Sequence, residues 1–108
     1  MNIHDYCTVG GKNLIKEYLH QLPREEQIEG YRIRHNIILY GLEVFPFINT
    51  RQLHGKLWEI KFSSNRIMYV IADAENIYFL HACKKQKQKA AGMDLDTAMQ
   101  RAKEQNLL

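Results

Sequence analysis

The stretch "LWEIKFSSNRIMYVIADAENIYFLHAC", residues 57–83, decides the fold. Its runs "LWEIKF", "RIMYVIA" and "IYFLHAC" are separated by the polar sequences "SSN" and "DAEN". Runs of this length, rich in β-branched and aromatic residues and bounded by short turns, are typical of strands. The stretch therefore predicts a three-stranded antiparallel meander whose most apolar run is the central strand.

Side-chain alternation assigns the meander residues to two faces. We expect a two-residue turn at Ser64-Asn65 and a four-residue loop at residues 73–76, which together set the register. One face is then almost wholly apolar and should carry the helices: Trp58, Ile60, Phe62, Ile67, Tyr69, Ile71, Tyr78, Leu80 and Ala82. The opposite face, which we expect to be free of helices, holds Glu59, Lys61, Arg66, Met68, Val70, Phe79, His81 and Cys83, with Lys85 beyond them.

Helical patterns flank the meander. Apolar residues at 14, 15, 18, 19 and 22 predict a first helix that ends at Pro23. A second helix follows, with an apolar stripe formed by Ile28, Tyr31, His35, Ile38, Leu39 and Leu42. A short closing helix begins near Asp94, "NIHDYC" predicts a short N-terminal strand, and residues 42–56 are expected to be a connector. The pattern predicts an α+β fold with a small antiparallel sheet.

Composition limits the class of protein. The chain has 108 residues, 45% of them hydrophobic, and a formal net charge of +3, which favours one domain over residues 1–108 and excludes a disordered chain. No run is apolar enough to span a membrane, and no signal peptide is expected. The two cysteines and five histidines show no recognised ligand spacing. We expect a cytoplasmic protein with no metal and no cofactor.

The expected register gathers cations from separate parts of the chain. Lys61, Arg66, His81 and Lys85 surround Met68 on the face predicted to be free of helices. Clustered like charges on a sheet repel each other, so their presence favours a polyanionic partner such as an RNA backbone. Further lysines follow directly at Lys84, Lys87 and Lys89. The competing interpretation is a surface on which these cations only interact with water.

The cluster suits one type of reaction. RNA carries its own nucleophile, the 2′-hydroxyl, so a cleaving protein needs to align that group and absorb charge on the phosphate. Arg66 and Lys61 have the charge for the second task. His81 has the chemistry of a general acid or base, and cationic neighbours favour the neutral imidazole and a base role.

The same residues resemble a known family. Members of the HigB-like, phage-Gp49-like branch of the RelE/ParE toxin superfamily typically show L-W-E-L-R, R-x-x-Y, L-L-H-x-F-x-K-K-x-Q-K-T-P and E-I-x-x-A-x-x-R in this order. The matching residues here are Leu57 to Lys61, Arg66, Tyr69, Leu80, His81, Lys85, Gln88, Lys89, Asp94, Leu95, Ala98 and Arg101. Cys83 replaces the usual phenylalanine, Gln86 the second lysine, and Ala90-Ala91 the Thr-Pro pair.

The resemblance implies a toxin of a type II toxin–antitoxin system. Family members cleave mRNA, usually on the ribosome and without a metal, and are neutralised by an antitoxin that is often a small helix-turn-helix protein. The implied catalytic residues are Arg66, Lys85 and His81, and the implied RNA-binding residues are Lys61, Lys84, Lys87 and Lys89. The open alternatives are a ParE-like gyrase inhibitor, a phage-derived binding module without catalysis and a structural phage protein, because fold alone does not fix the target.

Overall fold

The predicted meander forms the centre of a larger sheet. The computed structural model of the protein describes residues 1–85 and 91–108. Its strands are β1 (Asn2–Asp5), β2 (Thr50–His54), β3 (Leu57–Phe62), β4 (Asn65–Asp73) and β5 (Asn76–Lys84). Their order across the sheet is β1-β5-β4-β3-β2. The meander β3-β4-β5 is confirmed, and so is the α+β class.

The structure has three α-helices in its described residues, and local signals mark several of their ends. They are α1 (Leu14–His20), α2 (Arg24–Tyr40) and α3 (Ala91–Glu104), and a 3₁₀ segment (Gly41–Phe47) follows α2. The Asn13 side chain caps α1 by accepting a hydrogen bond of 2.9 Å from the Lys16 amide. Gly41 ends α2 with a φ of 61°, a conformation that glycine adopts without strain. The predicted start of α3 near Asp94 was three residues too late.

Two strands extend the sheet beyond the prediction. β2 lies in the expected connector and pairs antiparallel with β3, while β1 pairs in parallel with β5. The sheet is therefore mixed rather than wholly antiparallel. β2 contains one apolar residue, Leu53, so its alternation is too weak to show in the sequence. It is an edge strand, whose position is fixed by backbone pairing with β3.

The β3–β4 turn lies one residue earlier than expected. Phe62 pairs with Asn65, so the turn residues are Ser63 and Ser64, and Ser63 has a φ of 51°. The pairing therefore shifts by two positions, and Ile60 lies opposite Ile67. Because side chains alternate with a period of two, this shift leaves every β3 and β4 residue on its predicted face.

A β-bulge in β5 changes the predicted faces of that strand. Met68 pairs with His81, but Tyr69 pairs with Phe79, so Leu80 is the extra residue. Before the bulge, Ile77 and Phe79 lie on the face covered by α1 and α2, and Tyr78 and Leu80 lie on the other, opposite to our prediction. After the bulge, Ala82 and Cys83 lie on the predicted faces.

Helices cover both faces of the sheet. We call the face that carries Ile60 and Phe62 face one and the face that carries Glu59 and Lys61 face two. Face one packs against α1 and α2, through a core that includes Ile15, Leu19 and Ile37. Face two packs against α3, where Ala98 and Ala102 are completely buried against Met68, Val70 and other residues. The prediction that face two is free of helices was therefore wrong. The apolar residues of face two, which include Met68, Val70 and, because of the bulge, Leu80, form a second core. This core is buried only because a helix covers it.

The position of α2 is fixed by a close approach and by a buried ion pair. A Cβ added at Gly30 would lie 2.8 Å from Leu19 and 3.1 Å from Phe62, so only glycine fits at this contact. Four residues along the helix, Arg34 donates two hydrogen bonds of 2.7 and 2.8 Å to Asp5. The pair ties α2 to β1.

Within the two described ranges, no helix is long and apolar enough to cross a lipid bilayer.

Candidate functional site

Lys61 and Arg66 lie directly opposite each other on face two, where β3 and β4 approach their shared turn. In the next row of the sheet, Glu59 pairs with Arg51 of β2. These four residues form what we call the Glu59 cluster. The sequence predicted that the first two cations meet, and the two-position change in register did not separate them.

Glu59 is the centre of the cluster. Its side chain is fully buried, with Arg51 Nη2 2.9 Å and Lys61 Nζ 4.0 Å from Oε1. Arg66 Nη1 lies 3.5 Å from Oε2. A buried carboxylate needs cations of this kind to offset its loss of hydration. The expected repulsion between the cations is therefore relieved within the protein, although three cations against one carboxylate still leave an excess of positive charge.

The cations of the cluster differ in how much surface they offer to a ligand. Arg51 has 52% of its side chain exposed, Lys61 28% and Arg66 only 9%. Neither Glu59 oxygen, nor Arg66 Nε, has a hydrogen-bond partner among the described residues. Arg51 and Lys61 are thus the accessible cations, and Arg66 lies beneath them. The role of Arg66 in contacting phosphate stays a prediction.

The lysines after β5 separate into different positions. The Lys85 amide donates a 2.6 Å hydrogen bond to the Ser64 carbonyl, which places this exposed residue beside the β3–β4 turn and next to the cluster. Lys84 instead has its ammonium 3.0 Å from Asn65 Oδ1 and 3.6 Å from Glu26 of α2, on face one. Lys84 therefore lies apart from the cluster, and its RNA-binding role stays a prediction. Lys87 and Lys89 lie outside the described residues.

His81 belongs to a separate hydrogen-bonded network. Its Nε2 lies 2.7 Å from Asp94 Oδ1, and Arg101 Nη1 lies 3.3 Å from its Nδ1. Because a guanidinium can only donate, Nδ1 acts as the acceptor and Nε2–H donates to the carboxylate. Arg101 also donates to the Leu80 carbonyl at 2.9 Å. Both ring nitrogens are thus engaged in holding α3 against β5, and the proposed acid–base role of His81 stays a prediction.

Three atoms in this network are of the types that bind metals. One ligand atom each from His81, Cys83 and Asp94 lies within 4.8 Å of the others, and such a set suits Zn²⁺. A zinc-bound imidazole normally donates its second N–H to an acceptor. Here the second nitrogen faces the Arg101 donor instead, and the first is already 2.7 Å from the carboxylate. The contacts therefore favour hydrogen bonding over a metal.

The Cys83 thiol is held in its protonated form. Burial, with the negative charge of Asp94 as the next cause, raises its pKa to about 12. Because the thiolate is the reactive form, roughly 1 in 10,000 Cys83 side chains would be ionised at pH 8. Cys7, in contrast, is exposed.

We therefore expect one cysteine of the native protein to react with iodoacetamide at pH 8, and peptide mass analysis should place the label on Cys7. In denaturant both cysteines should react, since unfolding removes the burial that keeps Cys83 protonated. Rapid labelling of Cys83 in the native state would show that face two is more open than its packing against α3 indicates.

Sequence reasoning missed three residues of these sites. Arg51 was assigned to a connector, because "TRQLH" has one apolar residue and no alternation that would mark it as a strand. Asp94 and Arg101 were assigned to α3 without a partner, yet they lie seven residues apart, so both face the same neighbouring strand. That spacing was the available signal that the two side chains share a neighbour, but the structure was needed to identify the neighbour as His81.

Comparison with known proteins agrees with the architecture and with the motifs. The chain matches the family described as "Phage derived protein Gp49-like (DUF891)" over residues 17–103. No curated protein matches it. The matched range contains α2, the whole meander, the Glu59 cluster and most of α3. The chain therefore belongs to the Gp49-like family of phage-derived proteins, which is part of the RelE/ParE-like toxin group.

Proposed function

We propose that the protein is a HigB-like toxin of a type II toxin–antitoxin system that cleaves mRNA on the ribosome and so inhibits translation. Membership of a toxin group supports the first part of the proposal. The observation that supports RNA as the target is the Glu59 cluster, where three cations surround one carboxylate and Lys85 adds a further charge beside it. In this proposal the protein acts in the cytoplasm, and a small helix-turn-helix antitoxin neutralises it.

The proposed reaction needs no metal, because the substrate supplies the nucleophile. The RNA 2′-hydroxyl loses its proton as it attacks the neighbouring phosphate, and a 2′,3′-cyclic phosphate forms. The bond from phosphorus to the 5′-oxygen of the next nucleotide breaks, and that oxygen takes up a proton and leaves as a 5′-hydroxyl. Arg51 and Lys61 have the exposure to hold the phosphate and offset its growing negative charge. Arg66 lies beneath them and adds to the positive potential at the phosphate. In this proposal Lys85 contacts a neighbouring part of the RNA strand.

A non-catalytic toxin is the second candidate, and one observation favours it. Arg66 is 9% exposed, and both His81 nitrogens are already bonded, so two of the three predicted catalytic residues are engaged within the protein. A chain that binds nucleic acid or gyrase without cutting RNA needs only the exposed cations. The products formed in cells separate the two candidates.

The decisive experiment is induced expression in bacteria, followed by measurement of protein synthesis and mapping of transcript ends on ribosomes. If the protein cleaves mRNA, synthesis should stop within minutes and new transcript ends should appear within codons. A halt in growth with intact transcripts and a DNA-damage response would indicate the gyrase alternative. Normal growth at verified expression would contradict the toxin proposal.

We expect the double variant Lys61→Ala/Lys85→Ala to lose most of its toxicity. It should remain folded, as denaturant unfolding can check, because Arg51 and Arg66 still lie 2.9 and 3.5 Å from the Glu59 carboxylate. The log–log slope of RNA affinity against salt concentration should become shallower by about one unit for each phosphate that the variant no longer neutralises. Lys12→Ala is the matched control, since it removes an exposed lysine outside the cluster. Equal toxicity of the double variant and the control would exclude this surface as the RNA site.

A further inference from the structure

Most of the apolar stripe of α2 faces away from the protein, and of its residues Tyr31 packs partly against the core. A surface helix normally buries its apolar stripe. α2 instead buries Gly30, Arg34 and Ile37, which lie on the opposite side of the helix. The exposed fractions on the stripe are 47% for Ile28, 48% for Ile38, 58% for Leu39 and 45% for Leu42. Contiguous exposed apolar side chains of this kind mark interaction surfaces.

The stripe has the shape and length of a helix-binding surface. At one end Ile28 and Ile38 line a groove of about 530 Å³, and at the other Leu42 lines a depression of about 660 Å³ together with Trp58. On α2 itself the stripe runs from Ile28 to Leu39, about 16 Å along the helix axis, and Leu42 continues it in the 3₁₀ segment that follows. A partner helix of about four turns would cover it. Its apolar residues, spaced by three and four, would contact the stripe.

The charges beside the stripe determine which partner fits. Lys16 and Arg32 line the groove together with His35, and neither cation forms an ion pair with any carboxylate in the described part of the chain. The third cation of the groove, Arg34, is already paired with Asp5. A two-fold contact centred on the groove would gather Lys16 and Arg32 from both copies in one interface, and this concentration of like charge disfavours a homodimer. An acidic partner is complementary.

We propose that the α2 stripe is the docking surface for an acidic, amphipathic helix of a partner protein. The proposal deepens the proposed function, because it gives the chemistry of the segment through which a neutralising antitoxin would bind. It also places that segment away from the Glu59 cluster. The helix would insert apolar side chains between Ile28 and Leu42 and direct its carboxylates towards Lys16 and Arg32.

The test uses two synthetic helical peptides of about 16 residues. Both carry leucine at positions spaced by three and four; the remaining positions are mainly glutamate in the first peptide and lysine in the second. Each is titrated into the full-length, ¹⁵N-labelled protein, and amide chemical shifts are followed. We expect the glutamate peptide to shift the resonances of α2 around Ile28, Ile38 and Leu39. The lysine peptide should bind about tenfold more weakly or not at all.

Two exposed variants make the test specific. Ile38→Asp should reduce the affinity for the glutamate peptide by at least about tenfold, since it places a charge in the apolar contact. Arg32→Glu should reverse the preference between the two peptides, while Lys12→Glu, outside the groove, should not. The proposal is overturned if the glutamate peptide shifts resonances only elsewhere, or if both peptides bind equally. It is equally overturned if the stripe mediates a dimer that Ile38→Asp dissociates.

Peptide binding does not depend on toxicity, so the two proposals can fail separately. A chain that binds the glutamate peptide at α2 but does not arrest growth keeps the docking surface and loses the toxin proposal. A chain that arrests growth but shows no binding at α2 loses only the docking surface. Ile38→Asp should arrest growth as the natural chain does, because Ile38 lies on α2 and outside the Glu59 cluster.

Discussion

Replacing Arg34 with alanine is expected to lower the free energy of unfolding by about 3–5 kcal/mol, the usual cost of removing one partner of a buried ion pair. Arg34 makes two hydrogen bonds to Asp5, and the side chains of the pair are only 8% and 6% exposed. Without the guanidinium, the Asp5 carboxylate keeps a single described side-chain partner, Asn13 at 3.0 Å. Denaturant unfolding followed by circular dichroism measures the change.

A double-mutant cycle identifies the cause of this loss. Asp5→Asn/Arg34→Ala should be more stable than Arg34→Ala, because it no longer buries an unpaired charge. Arg32→Ala, on the exposed side of α2, should change stability by less than about 0.5 kcal/mol. If Arg34→Ala were as stable as Arg32→Ala, the ion pair would not be what holds α2 on β1.

The central strands were predictable because their pattern is strong and local. β3 alternates and β4 is apolar on both sides, so each run identified its own strand whatever its neighbours were. Even the misplaced turn at Ser63 did little harm, since a register shift of two positions returns each side chain to the same face. This is why Lys61 and Arg66 meet as expected.

The bulge at Leu80 shows where such reasoning stops. An extra residue in one strand reverses the alternation, and nothing in "IYFLHAC" distinguishes Leu80 from its neighbours. The bulge depends on the whole sheet, because it lets Ile77 and Phe79 fill the core under α1 and α2 while Leu80 packs under α3. The second covering helix could not be predicted without it.

α2 illustrates a different limit. Its sequence carries apolar residues on two sides, so periodicity alone cannot decide which side is buried. Gly30 decides it, since the absence of a side chain allows Leu19 and Phe62 to approach the backbone. The stripe from Ile28 to Leu42 is consequently left outside. Its apolar residues conform to helical spacing, but nothing in the described part of the chain covers them.

The sequence placed Glu59, Lys61 and Arg66 on one face of the sheet, but it missed Arg51 and the electrostatics of the cluster. Lys61 and Arg66 were expected to repel each other until a polyanion binds and neutralises them. The structure places the Glu59 carboxylate between them, fully buried, with Arg51 of the unpredicted edge strand on its other side. A pattern of alternating residues assigns Glu59 to a face. It does not reveal that the residue is buried, which depends on everything packed around it.

The burial of Glu59 changes what Arg66→Ala is expected to do. The substitution removes a cation 3.5 Å from the carboxylate and should destabilise the protein by about 3 kcal/mol or more, as measured by denaturant unfolding. Arg66→Lys keeps the charge and should cost less. A loss of toxicity in Arg66→Ala would therefore be ambiguous, because unfolding alone would produce it.

The double variant Glu59→Gln/Arg66→Ala resolves the ambiguity. The neutral amide of glutamine tolerates burial without a counter-charge, so we expect this variant to recover about 1–2 kcal/mol of the stability lost in Arg66→Ala. Its toxicity then reports on the role of Arg66 in the reaction. If the double variant folds and remains as toxic as Glu59→Gln alone, Arg66 serves only to neutralise Glu59, and the phosphate contact belongs to Arg51 and Lys61. If toxicity is lost although the fold is restored, the Arg66 charge acts on the RNA.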